Sequence, residues 1–464
     1  MAQPRGQWSG KLGFILAAAG SAVGLGNLWK FPYITYENQG GAFVLVYIAA
    51  VALVGLPIML AEIILGRRTQ RSPVGAFRIL AEGKAGGRLW SGLGYLGVSA
   101  GFVILSYYSV VAGWTLRYTW MALSGQLQEL AGQPGALDAF FGSYVADGGA
   151  QILGNGIFMA LTMAAVYFGV KAGIERVAKM LMPILFVILI ALAVYATTTA
   201  GFGEAMTFLF RPNFGDLTSQ SVLEALGHAF FTLSLGMGAI LTYGSYMNRK
   251  NSIPVAALQI AALDTVIAIL ACVVMFSIIF TFDMEVTASA GILFTTLPTV
   301  FYQLTGGGVI AAAFYILVAF AALTSTISLL EVVSSFAIDD LGWSRRQAAM
   351  TMGTTIFVFG ILNALSLGAN DWLTNLHFLG ESHTGLFNTL DYLASNWMLP
   401  VGGLFIALFA GWVMSANDTW DEVRQGHDGA EMIYAGWRFL IRFVAPVAVG
   451  AIIFSIIFLG MEYQ

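Results

Sequence analysis

The sequence predicts an all-α integral membrane protein of eleven transmembrane helices, with the first and the sixth broken. Three observations carry this. Of 464 residues, 58% are hydrophobic and 10% charged, with mean hydropathy +0.79; soluble domains are nearer about 45–50% apolar and roughly 25% charged. The apolar stretches exceed the ~20 residues that a spanning helix needs, whereas a barrel strand needs only ~9–11. Finally, two short polar interruptions, Gly20 to Asn27 and Phe231 to Gly238, lie inside otherwise apolar segments.

Taken in order, the first span, near 11–36, contains Gly20-Ser21-Ala22-Val23-Gly24-Leu25-Gly26-Asn27 and then Lys30. It is too long for a secretory leader and carries Asn27 and Lys30. The second, near 41–69, ends on Arg67 and Arg68, and Glu62 before them is expected to cap backbone groups or pair locally. The third, near 89–123, carries Tyr107-Tyr108, and the fourth runs near 152–170. The fifth, near 175–200, holds Pro183, with Gly173 ten residues earlier at its start. A proline there withholds a hydrogen bond from the carbonyl of Lys179. The sixth, near 221–247, contains His228 and the second interruption, and the seventh, near 253–282, contains Asp264 and Cys272. The eighth, near 308–339, carries Thr324-Ser325-Thr326 and Glu331. The ninth to eleventh lie near 345–367, 386–415 and 433–461. Residues 124–151 are Gly/Gln/Asp-rich and are expected to form a loop. Residues 284–305, moderately apolar and acidic at the start, are expected to be re-entrant or hairpin-like rather than spanning.

Lysine and arginine set the orientation. Arg5, Lys11, Arg67, Arg68, Arg71, Arg78, Lys84 and Arg88 flank the N-terminus and the second-to-third connection. Lys171, Arg176, Lys179, Arg249, Lys250, Arg345, Arg346, Arg424, Arg438 and Arg442 sit at alternate connections beyond, and only Lys30, Arg117 and Arg211 fall on the opposite side. The positive-inside rule therefore predicts a multi-pass protein of the cell (inner) membrane with a cytoplasmic N-terminus. An odd helix count puts Tyr463 and Gln464 on the extracellular or periplasmic side. Spans one to five and six to ten then have opposite topology, each set opening on a broken helix, as two inverted five-helix repeats require. The predicted divisions are 1–215 for the first repeat, 216–420 for the second and 421–464 for the eleventh helix.

The breaks carry the chemistry. Glycines at 20, 24 and 26 let the backbone leave helical geometry at little steric cost. Unwinding frees carbonyls such as those of Gly20, Ala22 and Val23 as hard ligands for an alkali cation. The amides of Leu25 and Gly26 then start a new half-helix, whose positive end suits a carboxylate. Small-residue packing between helices is the competing reading of these glycines. Asn27 and the partner break at Thr232–Ser234 favour a site. Asp264 lies several turns from either end of an apolar helix, where a bound cation would keep it ionised; a protonated aspartate bonded to a neighbouring helix is the alternative. The hydroxyl triplet at 324–326 either bonds back to its own helix or faces the first break, and Tyr107-Tyr108 either packs or offers a phenol. No histidine pair or nucleophile–base pattern occurs in the spans, so no enzyme is predicted, and His228 is expected to pack or hydrogen-bond. A single cysteine allows no intrachain disulfide, and the net charge of −4 gives no indication of a nucleic-acid partner.

The run Gly20-Ser21-Ala22-Val23-Gly24-Leu25-Gly26-Asn27-Leu28-Trp29-Lys30-Phe31-Pro32 resembles the first helix of the neurotransmitter:sodium symporter family. Phe231-Thr232-Leu233-Ser234-Leu235-Gly236, Tyr107-Tyr108 and Leu323-Thr324-Ser325 match its other core motifs. The resemblance spans essentially the whole chain, and eleven spans suit a bacterial member similar to the leucine transporter and its hydrophobic-amino-acid relatives. It implies the leucine-transporter fold, alternating access, an amino-acid substrate within the lipid bilayer and two Na+ sites. The first site would use the Ala22 carbonyl, Asn27, Thr232, Asp264 and the substrate's own carboxylate. The second would use the carbonyls of Gly20, Val23 and Ala321 with the hydroxyls of Thr324 and Ser325. Substrate carboxylate would meet the Leu25 and Gly26 amides and the Tyr108 hydroxyl, and its ammonium the carbonyls of Ala22, Phe231 and Thr232 and the Ser234 side chain. Gly24 stands where monoamine carriers have an aspartate, so an amino acid keeping both charges is implied. Ile104, Met237, Ser328 and Leu329, with Gly24 and Ser325 beside them, would form a pocket for a hydrophobic or aromatic side chain.

The same matching implies an outer gate of Lys30 and Asp391 above Tyr108 and Phe231. Lysine replaces the family's more frequent arginine there, which implies a looser or water-mediated latch. The inner gate would use Arg5 and Asp339, with Trp8, Ser245 and Tyr246 nearby. Animal members bind chloride beside the first sodium. Here the matching positions read Tyr47, His228, Thr232, Asp264 and Ala268, with a fixed negative charge at Asp264, so chloride-independent transport is implied. The competing functions on this fold are a non-transporting amino-acid sensor and an uncoupled ion pathway.

Overall fold

A computed structural model describes residues 6–284, 291–379, 383–426 and 429–462. Among the described residues, nine helices are long and apolar enough to cross a membrane: Gly41–Thr69, Gly87–Ser124, Gly148–Tyr167, Val170–Ala196, Ile253–Thr281, Gly307–Asp340, Arg345–Leu365, Leu386–Val413 and Ala430–Leu459. A tenth is the bent pair Lys11–Ala22 and Gly26–Glu37, whose halves meet at 52°. Ser219–Thr232 and Ala239–Gly244 flank the second break and are each too short to be counted alone. They stand where the sixth span is expected, so a total of eleven is compatible with this count.

Burial separates an inner set of spans from an outer one. In the most apolar window of the second, third, seventh, eighth and tenth spans, 61–78% of residues are buried within the protein; in the fourth, fifth, ninth and eleventh the share is 33–39%. The outer set therefore presents its apolar side chains to lipid, while the inner set surrounds the two broken helices. The third span packs chiefly against the eighth, and the first packs against the fifth, seventh and eighth.

Two expectations about connections meet different outcomes. The stretch 124–151 is not a loop: it folds into Gln126–Ala131 and Ala136–Ala146 before the fourth span begins at Gly148. Gly125 and Gly135, both in the left-handed region (φ 83° and 73°), precede these helices. Leu127, Leu137 and Tyr144 anchor them by burial. The glycines lowered the hydropathy because they mark helix boundaries, not because the chain is irregular. Ile292–Phe301, by contrast, is a short apolar helix that does not span; residues 285–290 of the expected hairpin lie outside the described residues. The fifth span runs through Pro183 without interruption, and its first turns, Val170–Glu175, are wound more widely than an α-helix.

Candidate functional site

The first break arises where small residues leave the helix without side-chain packing to hold it. The helix ends at Ala22, Val23 is extended (φ −71°, ψ 104°), and helical geometry resumes at Leu25. The freed amides are held by side chains. Gly24 N–H donates to Asn27 Oδ1 at 2.9 Å, and Leu25 N–H donates to the Tyr108 hydroxyl at 2.9 Å. Asn27 thus caps its own half-helix, and the third span positions a phenol at the positive end.

At the second break, a reciprocal cap between Thr218 and Ser221 starts the helix that runs to Thr232. Three left-handed residues then turn the chain: Ser234 (φ 53°), Gly236 (φ 79°) and Gly238 (φ 76°). A Cβ at Gly236 would collide with the Leu399 carbonyl, so that position needs glycine for both space and dihedral. Glu62 secures the far side, its carboxylate accepting from Gly236 N at 2.8 Å and Leu241 N at 3.1 Å. It does cap backbone, but in a distant helix. Its expected neighbour Arg67 pairs instead with buried Glu422 at 2.7 Å. The two breaks are joined directly, Ser234 Oγ donating to the Ser21 carbonyl at 2.8 Å.

Two oxygen clusters lie beside the first break. In one, Asn27 Nδ2 donates to Asp264 Oδ1 at 2.7 Å and to Thr232 Oγ1 at 3.0 Å. Thr232 Oγ1 stands 3.0 Å from both Asp264 oxygens, and the Tyr47 hydroxyl donates to Oδ2 at 3.3 Å. All four residues are at most 1% exposed, and among the described residues no cationic side chain pairs with Asp264. A buried carboxylate ringed by neutral hydroxyl and amide groups suits a hard monovalent cation. In the other cluster, Ser325 Oγ lies 3.3 Å from the Ser21 carbonyl and 3.4 Å from that of Val23, while Thr324 Oγ1 bonds back to Ala321 O at 2.9 Å. A Cβ on Gly20 would come within 3.1 Å of Thr324 and 3.2 Å of Met182 Sδ. Gly20, Val23, Ala321, Thr324 and Ser325 therefore converge, with no formal charge among their side chains.

Between the clusters lies a small cavity lined by Ser21, Ala22, Gly24, Gly26, Ile104, Tyr108, Phe231, Thr232, Ser234, Met237, Ser325, Ser328 and Leu329. Apart from Leu25, every residue expected from sequence to contact substrate lines it; the Leu25 amide donates to the hydroxyl of the lining residue Tyr108. Ser21 was missed, although it is the one hydroxyl within the first break. Its carbonyl accepts from Ser234 and Ser325, and its side chain donates to Ser328 Oγ at 2.7 Å. Gly24 keeps the cavity open: a Cβ there would lie 2.6 Å from Ser325 Oγ and 2.9 Å from the Tyr108 oxygen.

The gate residues meet mixed outcomes. Among the described residues, no ion pair joins Lys30 to Asp391; Lys30 Nζ instead sits 4.7 Å from the Phe231 ring centroid, and Ser395 Oγ approaches Asp391 at 3.4 Å. The ammonium therefore meets the ring face as a cation–π contact. On the inner side, Trp8 is buried, its indole donating to Tyr243 O at 2.9 Å and its amide to Tyr246 O at 3.2 Å. Tyr246 donates to Glu331, which also pairs with Arg345 at 2.6 Å; Ser245 bonds back to the Thr242 carbonyl. Asp339 accepts from Ser72 N at 2.6 Å, and Arg5 lies outside the described residues. Sequence reasoning passed over Glu175, which accepts from the Ser9 amide at 2.9 Å and the Ser9 hydroxyl, and pairs with Lys179 at 2.6 Å. His228 packs, stacked on Phe31 with centroids 5.3 Å apart.

Comparison with known proteins agrees with this geometry. The chain is similar to the uncharacterized sodium-dependent transporter YhdH of Bacillus subtilis, 38% identical over 452 residues and 97% of each chain. It is similar to an uncharacterized sodium-dependent transporter of Haemophilus influenzae, 33% identical over 466 residues and 98% of each. Among solved structures it superposes on MhsT in complex with L-phenylalanine with a TM-score of 0.88 and 42% identity, covering 97% of this chain and all of the other. The profile of the Sodium:neurotransmitter symporter family matches residues 5–131 and 147–464. With two broken helices facing one another across a cavity and a profile match along nearly its whole length, the chain belongs to the sodium:neurotransmitter symporter family.

Proposed function

We propose that the protein is a symporter that carries a neutral amino acid with a hydrophobic or aromatic side chain into the cell by alternating access, driven by sodium and without chloride. One observation carries the reading: the cavity lining combines the hydroxyls of Tyr108, Ser234 and Ser325 with the apolar side chains of Ile104, Met237 and Leu329. That combination matches an α-amino acid, charged at one end and apolar at the other. The L-phenylalanine in the MhsT complex supports the same assignment.

Two co-transported sodium ions fit the two oxygen clusters. The first would be held by Asn27, Thr232, Asp264, the Ala22 carbonyl and the substrate carboxylate, which ties ion binding to substrate binding through one shared contact. The second would be held by Gly20, Val23, Ala321, Thr324 and Ser325, which ties the first span to the eighth. Asp264 supplies a permanent negative charge, and a chloride ~4 Å from it would be repelled by about 4 kcal/mol at an effective dielectric near 20. Lys30 and Asp391 would close the outer side, and Trp8, Tyr246, Ser245 and Asp339, with Arg5, the inner. Lysine and arginine placement supports a cytoplasmic N-terminus. The two sets 1–215 and 216–420 would move as inverted repeats, with 421–464 outside them.

Uptake of radiolabelled amino acids into proteoliposomes tests this reading. An inward sodium gradient should drive accumulation of hydrophobic or aromatic amino acids, unchanged when gluconate replaces chloride. Uptake indifferent to sodium for every amino acid would overturn the reading, and binding without uptake would identify a sensor instead.

A further inference from the structure

On the surface of the helix bundle, the start of the third span (Gly87–Ser124) and the C-terminal half of the tenth (Leu386–Val413) border an open groove. Leu89, Leu93 and Leu96 line one wall and Val401, Phe405 and Val413 the other. Trp90 lines it as well. Its indole donates to Ala85 O at 2.9 Å, which folds the preceding loop back, and its ring meets Phe409 edge-on at 5.0 Å. Leu89 is 85% exposed.

The groove has the length of one leaflet. Val401 to Val413 spans twelve residues, at most ~18 Å at the α-helical 1.5 Å per residue because Phe409–Val413 is wound more widely, against ~15 Å for half the hydrocarbon core. The end marked by Val413 and Trp90 is the one beside residues 81–88. There Lys84 and Arg88 are both exposed and, among the described residues, neither side chain makes a hydrogen bond or ion pair. They outnumber the loop's one acid, Glu82. A tryptophan in the lining, two exposed cations on the adjoining loop and an apolar trough about one leaflet long share a single complement.

We propose that this groove is a binding site for an anionic phospholipid, whose acyl chain lies between the third and tenth spans while its phosphate meets Lys84 and Arg88. The site is separate from the transport cavity, and the inference does not depend on which substrate the protein carries. Glycine at position 92 keeps the trough open. A Cβ there meets nothing within 4 Å, so a bulky residue would fill the groove without displacing protein.

The test uses the full chain reconstituted in vesicles of equal parts phosphatidylglycerol and phosphatidylcholine, extracted gently, with the retained lipid read by native mass spectrometry. Wild type should retain phosphatidylglycerol in preference to phosphatidylcholine. Lys84→Gln with Arg88→Gln should lower that preference by roughly 25-fold, about 5-fold per charge. Gly92→Phe should lower retention of both lipids while the melting temperature stays at the wild-type value. Lys171→Gln, at another exposed cation, should change nothing. Equal retention of the two lipids by wild type would overturn the proposal, as would full retention by Gly92→Phe. A Lys171→Gln effect as large as the Lys84/Arg88 effect would reduce the preference to general surface charge and also overturn it.

Discussion

Replacing Asp264 with asparagine removes the one formal charge among Asn27, Thr232, Tyr47 and Asp264 while leaving volume nearly constant. The hydrogen-bond geometry shows why the fold should survive. Asn27 Nδ2 uses Oδ1 at 2.7 Å, whereas Tyr47 reaches Oδ2 at a long 3.3 Å. An asparagine that keeps its oxygen at the Oδ1 position retains the Asn27 and Thr232 contacts there and gives up the two acceptor contacts at Oδ2, from Tyr47 and Thr232, about 1 kcal/mol each. A sodium ion in the cluster would lie ~3 Å from the carboxylate charge, where the attraction is about 5 kcal/mol at an effective dielectric near 20. Breaking such a buried pair typically costs about 3–5 kcal/mol. Sodium affinity at this site should therefore fall by at least ~100-fold, and substrate affinity measured at a fixed sodium concentration should fall with it, because linked ligands affect each other reciprocally. Equilibrium binding of a labelled amino acid, titrated with sodium for wild type and Asp264→Asn, measures the shift directly. A variant that melts like wild type and binds sodium within threefold of it would refute the placement of a cation beside Asp264.

Three further outcomes follow from named contacts. Thr324→Ala with Ser325→Ala removes two neutral oxygens from the second cluster and should weaken sodium affinity by roughly 10-fold or more, seen as a right-shifted sodium titration at unchanged substrate saturation. Glu175→Gln should loosen the hold on Ser9 and Lys179 by about 1–2 kcal/mol and favour the inward-open state; hydrogen exchange over residues 8–20 would accelerate, and unchanged exchange would count against a latch. Glu62→Gln offers one acceptor where two backbone amides now bind, so one buried N–H goes unmet at a cost of about 1–3 kcal/mol; a lowered melting temperature checks it, and an unaltered one would show that water takes the place.

The spans and the cavity were legible in sequence for one reason. A membrane forbids broken backbone except where it has a purpose, so Gly20–Asn27 and Phe231–Gly238 stood out against apolar surroundings. The partners that stabilise the breaks were harder to read, because each acts across the fold. Glu62 reads as a backbone cap or a local pairing partner until the second span is seen to lie against Gly236 and Leu241, 174 and 179 residues away. Glu175 carries no motif; its meaning appears only when Ser9 folds onto the fifth span. Ser21 hid among glycines and alanines chosen for their smallness, and its carbonyl, which no side-chain pattern can encode, is what joins the two breaks. Lys30 shows the converse limit. Its position was readable, but its contact with the Phe231 ring in place of an ion pair with Asp391 is a matter of three-dimensional placement. Backbone breaks are therefore legible because they violate a local rule, and what holds them is not, because a long-range hydrogen bond leaves the local rules at both of its ends intact.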